Sequence, residues 1–296
     1  MNALKGTAFL RRKIILILFF LGTTLLVLTC SSLVVSLSVS DTIKKPGDNI
    51  GEEYSPTIAS INSLREFEDN IRTEIQQREL SGIDIPILID DYVRRKYFFE
   101  YSFIPWYDNW ILAFVDVLFP EKYITGRMKP DELIRFDYGI CNQQAIVFQK
   151  IVNDFGFEYG SVRFSTVGGG GHFASAVLVN GEWYYFDPNL EPEYDRTNPE
   201  IFSKLILRDK ETLRDLYGDT GLISSDTIEL GDINTFPARK GVFVQNLAFI
   251  LSWYGWAFFF IPSAIALLHR RRVQRSSGQR VTSQMDDNLP SIDLET

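Results

Sequence analysis

Cysteine and histidine are the scarce residues of this chain: 296 positions hold two of each. Cys30 lies inside an uncharged apolar run and Cys141 in the polar middle, so that middle portion has no partner for an internal disulfide. An excess of positive charge is also missing. Between the two long apolar runs stand 21 Lys and Arg against 34 Asp and Glu, and a surface of that balance repels phosphate backbones, which need cations to displace their counterions. Nucleic acid is therefore excluded as the expected partner. The glycines at 168–171 lack the Lys and the following helix of a phosphate-binding loop, and a mobile loop is expected there. A lone thiol is left. In an oxidising compartment an unpaired Cys is a liability unless it is buried or used, and composition alone leaves both readings of Cys141 open.

What is present is an ordinary globular composition, 45% apolar and 23% charged, interrupted by two uncharged stretches at 14–40 and 242–268. At 1.5 Å per residue either stretch crosses a hydrocarbon core. Lys5, Arg11, Arg12 and Lys13 precede the first, and Arg270, Arg271, Arg272 and Arg275 follow the second. Lys and Arg are retained on the cytoplasmic side, so both chain ends are expected inside, with Arg239 and Lys240 a weaker counter-signal. A cleaved signal peptide begins in the same way, but the first run is longer than such a segment needs. Val27-Leu28-Thr29-Cys30 is a poor acylation box, since Thr29 stands where a smaller residue is usual. The expected layout is a cytoplasmic start at 1–13, membrane helices at 14–40 and 242–268, a linker at 41–54, and an extracytoplasmic domain at 55–240. A disordered cytoplasmic tail is expected at 269–296.

Within the domain, Ile58, Ile61, Leu64, Phe67 and Ile71 recur at helical spacing, which predicts one helix over 55–80. The aromatic-rich stretch 85–119 resists assignment. Its segment 111–119 is too short to span a bilayer and carries Asp116, so a core helix is preferred to one lying on a membrane surface. A helix over 137–155 places Cys141, Ala145, Phe148 and Val152 on one stripe and Gln143, Lys150 and Asp154 opposite, with Gly156 to close it. Strands are expected at 159–166, 172–179 and 182–187, the last two joined by Asn180-Gly181, the strongest short signal for a two-residue hairpin turn. A further helix is expected at 205–217 and irregular structure at 220–237.

If Asn180-Gly181 is the turn, directly opposed residues have numbers summing to 361, so Ala174 faces Asp187 and His172 becomes a diagonal neighbour of Asp187 on the same sheet face. That face also carries Ala174 and Ala176, and the stripe headed by Cys141 is its expected partner. A thiol in the first turn of a helix feels the positive end of the dipole, and a neighbouring imidazole takes its proton. Cys141, His172 and Asp187 are thus the expected nucleophile, base and orienting carboxylate. Each taken singly has a bland reading, as a buried thiol, a hydrogen-bonded histidine and a strand end. Taken together they favour chemistry, because the only other histidine, His269, sits in the basic cluster after the second run.

Three short segments carry a resemblance. Tyr138-Gly139-Ile140-Cys141-Asn142-Gln143, Gly171-His172-Phe173-Ala174 and Gly181-Glu182-Trp183-Tyr184-Tyr185-Phe186-Asp187-Pro188 resemble the core of the transglutaminase-like superfamily, relatives of the papain-like thiol enzymes. There the Cys opens a helix, the His opens a strand, and the Asp ends the next strand after a Trp. The likeness covers about 136–190. It implies an α+β fold, with helices packed on a small antiparallel sheet, flanked here by two transmembrane helices. It also implies acyl transfer from glutamine or hydrolysis of an amide through a Cys-His-Asp triad, with no cofactor. Relatives complete the oxyanion hole from upstream, and Trp106, Trp110 and Tyr138 are the candidates. Some relatives bind calcium, but Glu191, Glu193 and Asp195 lack the spacing of a calcium loop, and no metal is expected. Others have lost catalysis. Two functions follow: an enzyme acting on a protein, peptide or cell-envelope substrate at the lipid bilayer, or a silent binding module of a membrane assembly that handles cell-surface polymers.

Overall fold

The computed structural model describes residues 2–39, 53–119, 124–165, 171–189 and 228–286. Its helices are α1 (Asn2–Ser38), α2 (Pro56–Ala59), α3 (Leu64–Arg78), α4 (Asp84–Lys96), α5 (Trp110–Leu118), α6 (Pro130–Leu133), α7 (Cys141–Asp154) and α8 (Arg239–Asp286). Its strands are β1 (Glu158–Ser165), β2 (Gly171–Val179), β3 (Glu182–Phe186) and β4 (Ile228–Leu230). The class is α+β, with a small antiparallel sheet in the order β3-β2-β1-β4. The chain forms two compact units: Met1–Ser40, Pro105–Val115 and Asn246–Thr296 make one, Asp41–Ile104 and Asp116–Gln245 the other.

In the sheet-bearing unit, Phe67 and Ile71 of α3, Ile89 and Val93 of α4, and Phe148, Ile151 and Val152 of α7 form one apolar core with Val177, Val179 and Phe186 of the sheet. The single helix expected over 55–80 is two. Ser63 is extended and its side chain accepts the Glu66 amide at 3.2 Å, so a new helix starts at Leu64. The apolar spacing runs on across the break, which hid it; Ser63 and Glu66 are the capping signature that marks it. Lys96, at the end of α4, is wholly buried and donates to the carbonyls of Ala59 and Ile61, each at 2.8 Å, fastening α4 to the α2–α3 connection. Burial lowers its pKa to about 8, against the opposing pull of Asp137.

The hairpin follows its turn. Asn180 and Gly181 have φ of 52° and 86°, the positive values a two-residue turn needs, and Ser175 pairs with Phe186 and Ala176 with Tyr185 in the expected register. Part of 220–237, expected to be irregular, is β4, which pairs with Val162 to Phe164 of β1; three residues are too few for alternation to show. The expected helix at 205–217, most of the linker at 41–54 and most of the glycine loop lie outside the described residues.

Leu10–Ser38, in the other unit, and Arg239–Arg272, which lies in it from Asn246 onward, are helical stretches long and apolar enough to cross a membrane. Phe19 stacks on Phe260 at 5.3 Å between ring centres. Gly22 lies so close to the Phe260 backbone that a Cβ there would sit 2.5 Å from its nitrogen. The Thr29 hydroxyl donates to the Ser252 carbonyl at 2.8 Å. The tail after Arg272, expected to be disordered, continues as helix to Asp286. Extending a formed helix fixes one residue per hydrogen bond, so even a polar segment is carried along.

Candidate active site

Cys141 is the first residue of α7, and its neighbours decide that. The Phe98 amide donates to the Asp137 carbonyl at 3.0 Å and the Gly139 amide to the Phe98 carbonyl at 3.1 Å. Held in this bridge, the chain stays extended through Ile140, so the helix expected over 137–155 begins four residues later. Gly156, with φ of 87°, closes it as expected.

Gln143, placed by periodicity on the solvent side, is buried instead. Its Oε1 accepts the amides of Ser102 at 3.1 Å and Ile140 at 3.2 Å. Its Nε2 donates to the carbonyls of Ser102 at 2.6 Å and Arg127 at 3.0 Å. One side chain thereby ties the segments at 102 and 127 to the start of the helix that carries the thiol. The amides of Cys141 and Asn142, at its first two positions, have no acceptor within the helix, and this is where an oxyanion would be received.

The helix does not lie on the sheet face that sequence alternation assigned to it. The Gln149 side chain donates to the Ser175 hydroxyl at 2.9 Å and accepts from Ser161 at 3.4 Å, while Phe148 packs on Phe186 at 5.2 Å. These sheet residues share the face opposite His172. Both faces of β2 are buried in mid-strand, so alternation had no way to choose between them. Cys141 still reaches His172, and the Gln149–Ser175 and Cys141–His172 contacts step back along α7 and β2 together. From Gln149 back to Cys141 is about 12 Å of helix, and from Ser175 back to His172 about 10 Å of strand. The two functional side chains therefore lie at one level, at the N-terminal ends of their elements.

His172 and Asp187 are both buried, and His172 Nε2 lies 2.6 Å from Asp187 Oδ2. Asp187 Oδ1 accepts the Asn189 amide at 3.2 Å, and the Tyr185 hydroxyl donates to Oδ2 at 3.5 Å. The Phe164 ring stacks on the imidazole, 5.9 Å between centres and 10° from parallel, fixing its plane. Cys141 is hydrogen-bonded to the same imidazole, and with Nε2 committed to Asp187, Nδ1 is the nitrogen left for it. Burial is the largest single influence and opposes the charged ring, but Asp187 and Cys141 together outweigh it and push the His172 pKa up to about 10. An imidazolium held beside a sulfur is the arrangement a thiolate nucleophile requires.

The structure thus brings together Cys141, His172 and Asp187. Trp106 and Trp110 belong to the other unit, where the Trp110 indole donates to the Ser252 carbonyl at 3.3 Å. Tyr138 remains in the unit of Cys141, packed between Phe98 and Phe136. Sequence reasoning missed Gln143, Gln149, Tyr185 and Phe164. For Gln143 a signal existed, since Gln at the third helical position is a capping residue. Among the described residues no group of three or more His, Cys, Asp or Glu is arranged to hold a metal ion; Glu191, Glu193 and Asp195 lie outside them. Compared with family models, curated proteins and solved structures, the chain matches none.

Proposed function

We propose that this chain is a membrane-anchored thiol enzyme of the transglutaminase-like kind, acting on amide bonds of a protein, peptide or cell-envelope substrate. The observation that carries this reading is the 2.6 Å contact between Asp187 and His172 with Cys141 hydrogen-bonded to the same ring. The sulfur of Cys141 attacks the amide carbon, and the amides at the start of α7 receive the charge that develops on the oxygen. His172 passes its proton to the departing amine, leaving a thioester on Cys141. Water or a second amine then attacks that thioester, with His172 taking up the proton, so hydrolysis and transfer share one site. Asp187 keeps the imidazole oriented throughout and favours its charged form in the steps where the ring holds the proton.

The two apolar helices support a two-pass chain whose basic flanks keep both ends in the cytoplasm, with the site outside. A thiol-directed covalent probe applied to the native protein tests the enzyme reading. Rapid labelling that vanishes in Cys141→Ala and slows in His172→Ala is the expected result. A folded protein whose Cys141 resists the probe makes the domain a silent binding module and defeats the catalytic proposal.

A further inference from the structure

The segment 111–119, expected to be a core helix, is exposed along most of one side. Leu112 is buried, but Phe114 and Val117 are 61% and 79% exposed, and Leu118 and Phe119 are exposed beside them. Spaced at three and four residues, Trp110, Phe114, Val117 and Leu118 form one stripe of α5. Four aromatic or aliphatic side chains in contact with water are costly, and a surface of this kind marks an interaction site.

The hydrogen bonds of α5 and the turn before it indicate the occupant. The Ser36 hydroxyl of α1 donates to the Asp108 carboxylate at 3.1 Å, and Ser32 donates to the Tyr107 carbonyl. From the other apolar helix, the Ser252 carbonyl accepts the Trp110 indole at 3.3 Å. Counting along each helix from its basic end converts these contacts to depths. Lys13 to Ser36 is about 34 Å, Lys13 to Ser32 about 28 Å, and His269 to Ser252 about 25 Å, against a hydrocarbon core of about 30 Å. Asp108 falls just beyond the far edge of that core, Tyr107 at the edge, and Trp110 just inside it. Tyr and Trp favour this boundary because their rings are apolar and their tips polar. Asn109 caps the helix, its side chain accepting the Leu112 amide at 3.1 Å, so α5 starts at the boundary with its first turn satisfied.

We propose that α5 is an interfacial helix whose stripe of Trp110, Phe114, Val117 and Leu118 is seated in the outer lipid leaflet, giving the protein a third membrane contact besides its two spans. The inference rests on the reading that α1 and α8 cross the bilayer. The occupant is lipid acyl chain and not protein, because the depths set by both apolar helices put the stripe level with the lipid surface.

The test is spin-label accessibility in the full chain reconstituted into phosphatidylcholine vesicles, with Cys30→Ser and Cys141→Ser as background. Labels go singly at Phe114→Cys, Ile17→Cys and Glu66→Cys, and collisions with oxygen, which concentrates in lipid, are compared with those of a water-soluble nickel chelate. The expected result is an oxygen-to-nickel ratio at 114 several-fold above that at 66 and approaching that at 17. A ratio at 114 equal to that at 66, with 17 still oxygen-rich, overturns the interfacial helix and leaves the spans standing. A nickel-rich 17 overturns the spanning reading and this inference with it. A label at 114 shielded from both reagents identifies a protein partner on the stripe and also overturns the proposal.

Discussion

In the sheet-bearing unit Phe67, Ile71, Phe148 and Val152 are wholly enclosed, whereas in the helical pair Ile17 is 64% exposed and Phe258 70%. The first unit has an enclosed apolar core, and the second turns large apolar groups outward. Its helices meet instead through small or polar residues: Gly22 against the Phe260 backbone, and Thr29 on the Ser252 carbonyl. Burial of apolar surface stabilises a fold only where water is the alternative. Where lipid surrounds the chain, a Leu gains little by turning inward, and close backbone approach with polar contacts holds helices together. On the proposed reading of α1 and α8 as membrane spans, the two units are built for two solvents.

The contrast is broken most directly by the same truncation made in each. Phe148→Ala is expected to cost about 3–5 kcal/mol in denaturant unfolding, the range for a large buried side chain. Phe20→Ala, on the exposed side of α1, is expected to change stability in detergent by less than about 0.5 kcal/mol. Equal losses at both positions would show that α1 is buried in a soluble core.

The sheet-bearing unit can also be probed by pH. The His172 pKa in the folded state, about 10, lies above its ordinary value of 6.5, so the charged ring contributes stability in full below pH 6.5 and loses it as pH rises through 10. Unfolding midpoints of the native protein should fall over that window, and Asp187→Asn should abolish most of the decline. An NMR titration of the His172 ring in Asp187→Asn should then move down towards the ordinary value.

Gln143→Ala leaves the Ser102 amide buried without its acceptor, which costs about 1–3 kcal/mol, and the thiol-probe rate should fall because the start of α7 loosens. Gly22→Leu is the counterpart in the other unit, with a cost of about 1–3 kcal/mol from overpacking against Phe260. It should separate the apolar helices in a crosslinking assay while leaving the probe rate at Cys141 unchanged. Within the sheet-bearing unit the smallest effect belongs to Ser161→Ala, about 0.5 kcal/mol, since its bond to Gln149 is long and Gln149 keeps Ser175.

What could be read without coordinates was whatever depends on neighbours close in sequence. Asn180-Gly181 dictates a turn with two positive φ values, the turn dictates the register, and the register makes His172 and Asp187 diagonal partners. The stripe of Ala145, Phe148 and Val152 is buried as its spacing requires, and the two uncharged runs announce themselves by length. Other features waited on tertiary structure. The bridge of Asp137 and Gly139 to Phe98 decides where α7 begins, and Gln149 with Ser175 decides which sheet face it covers. The same applies to Gln143, whose burial depends on carbonyls 16 and 41 residues away, and to α5, whose exposed side turns outward from a helix that looked like core. Periodicity reports that a side of an element is apolar. It carries no information on which distant surface, protein or lipid, that side will meet, because that choice is settled by contacts the local chain does not contain.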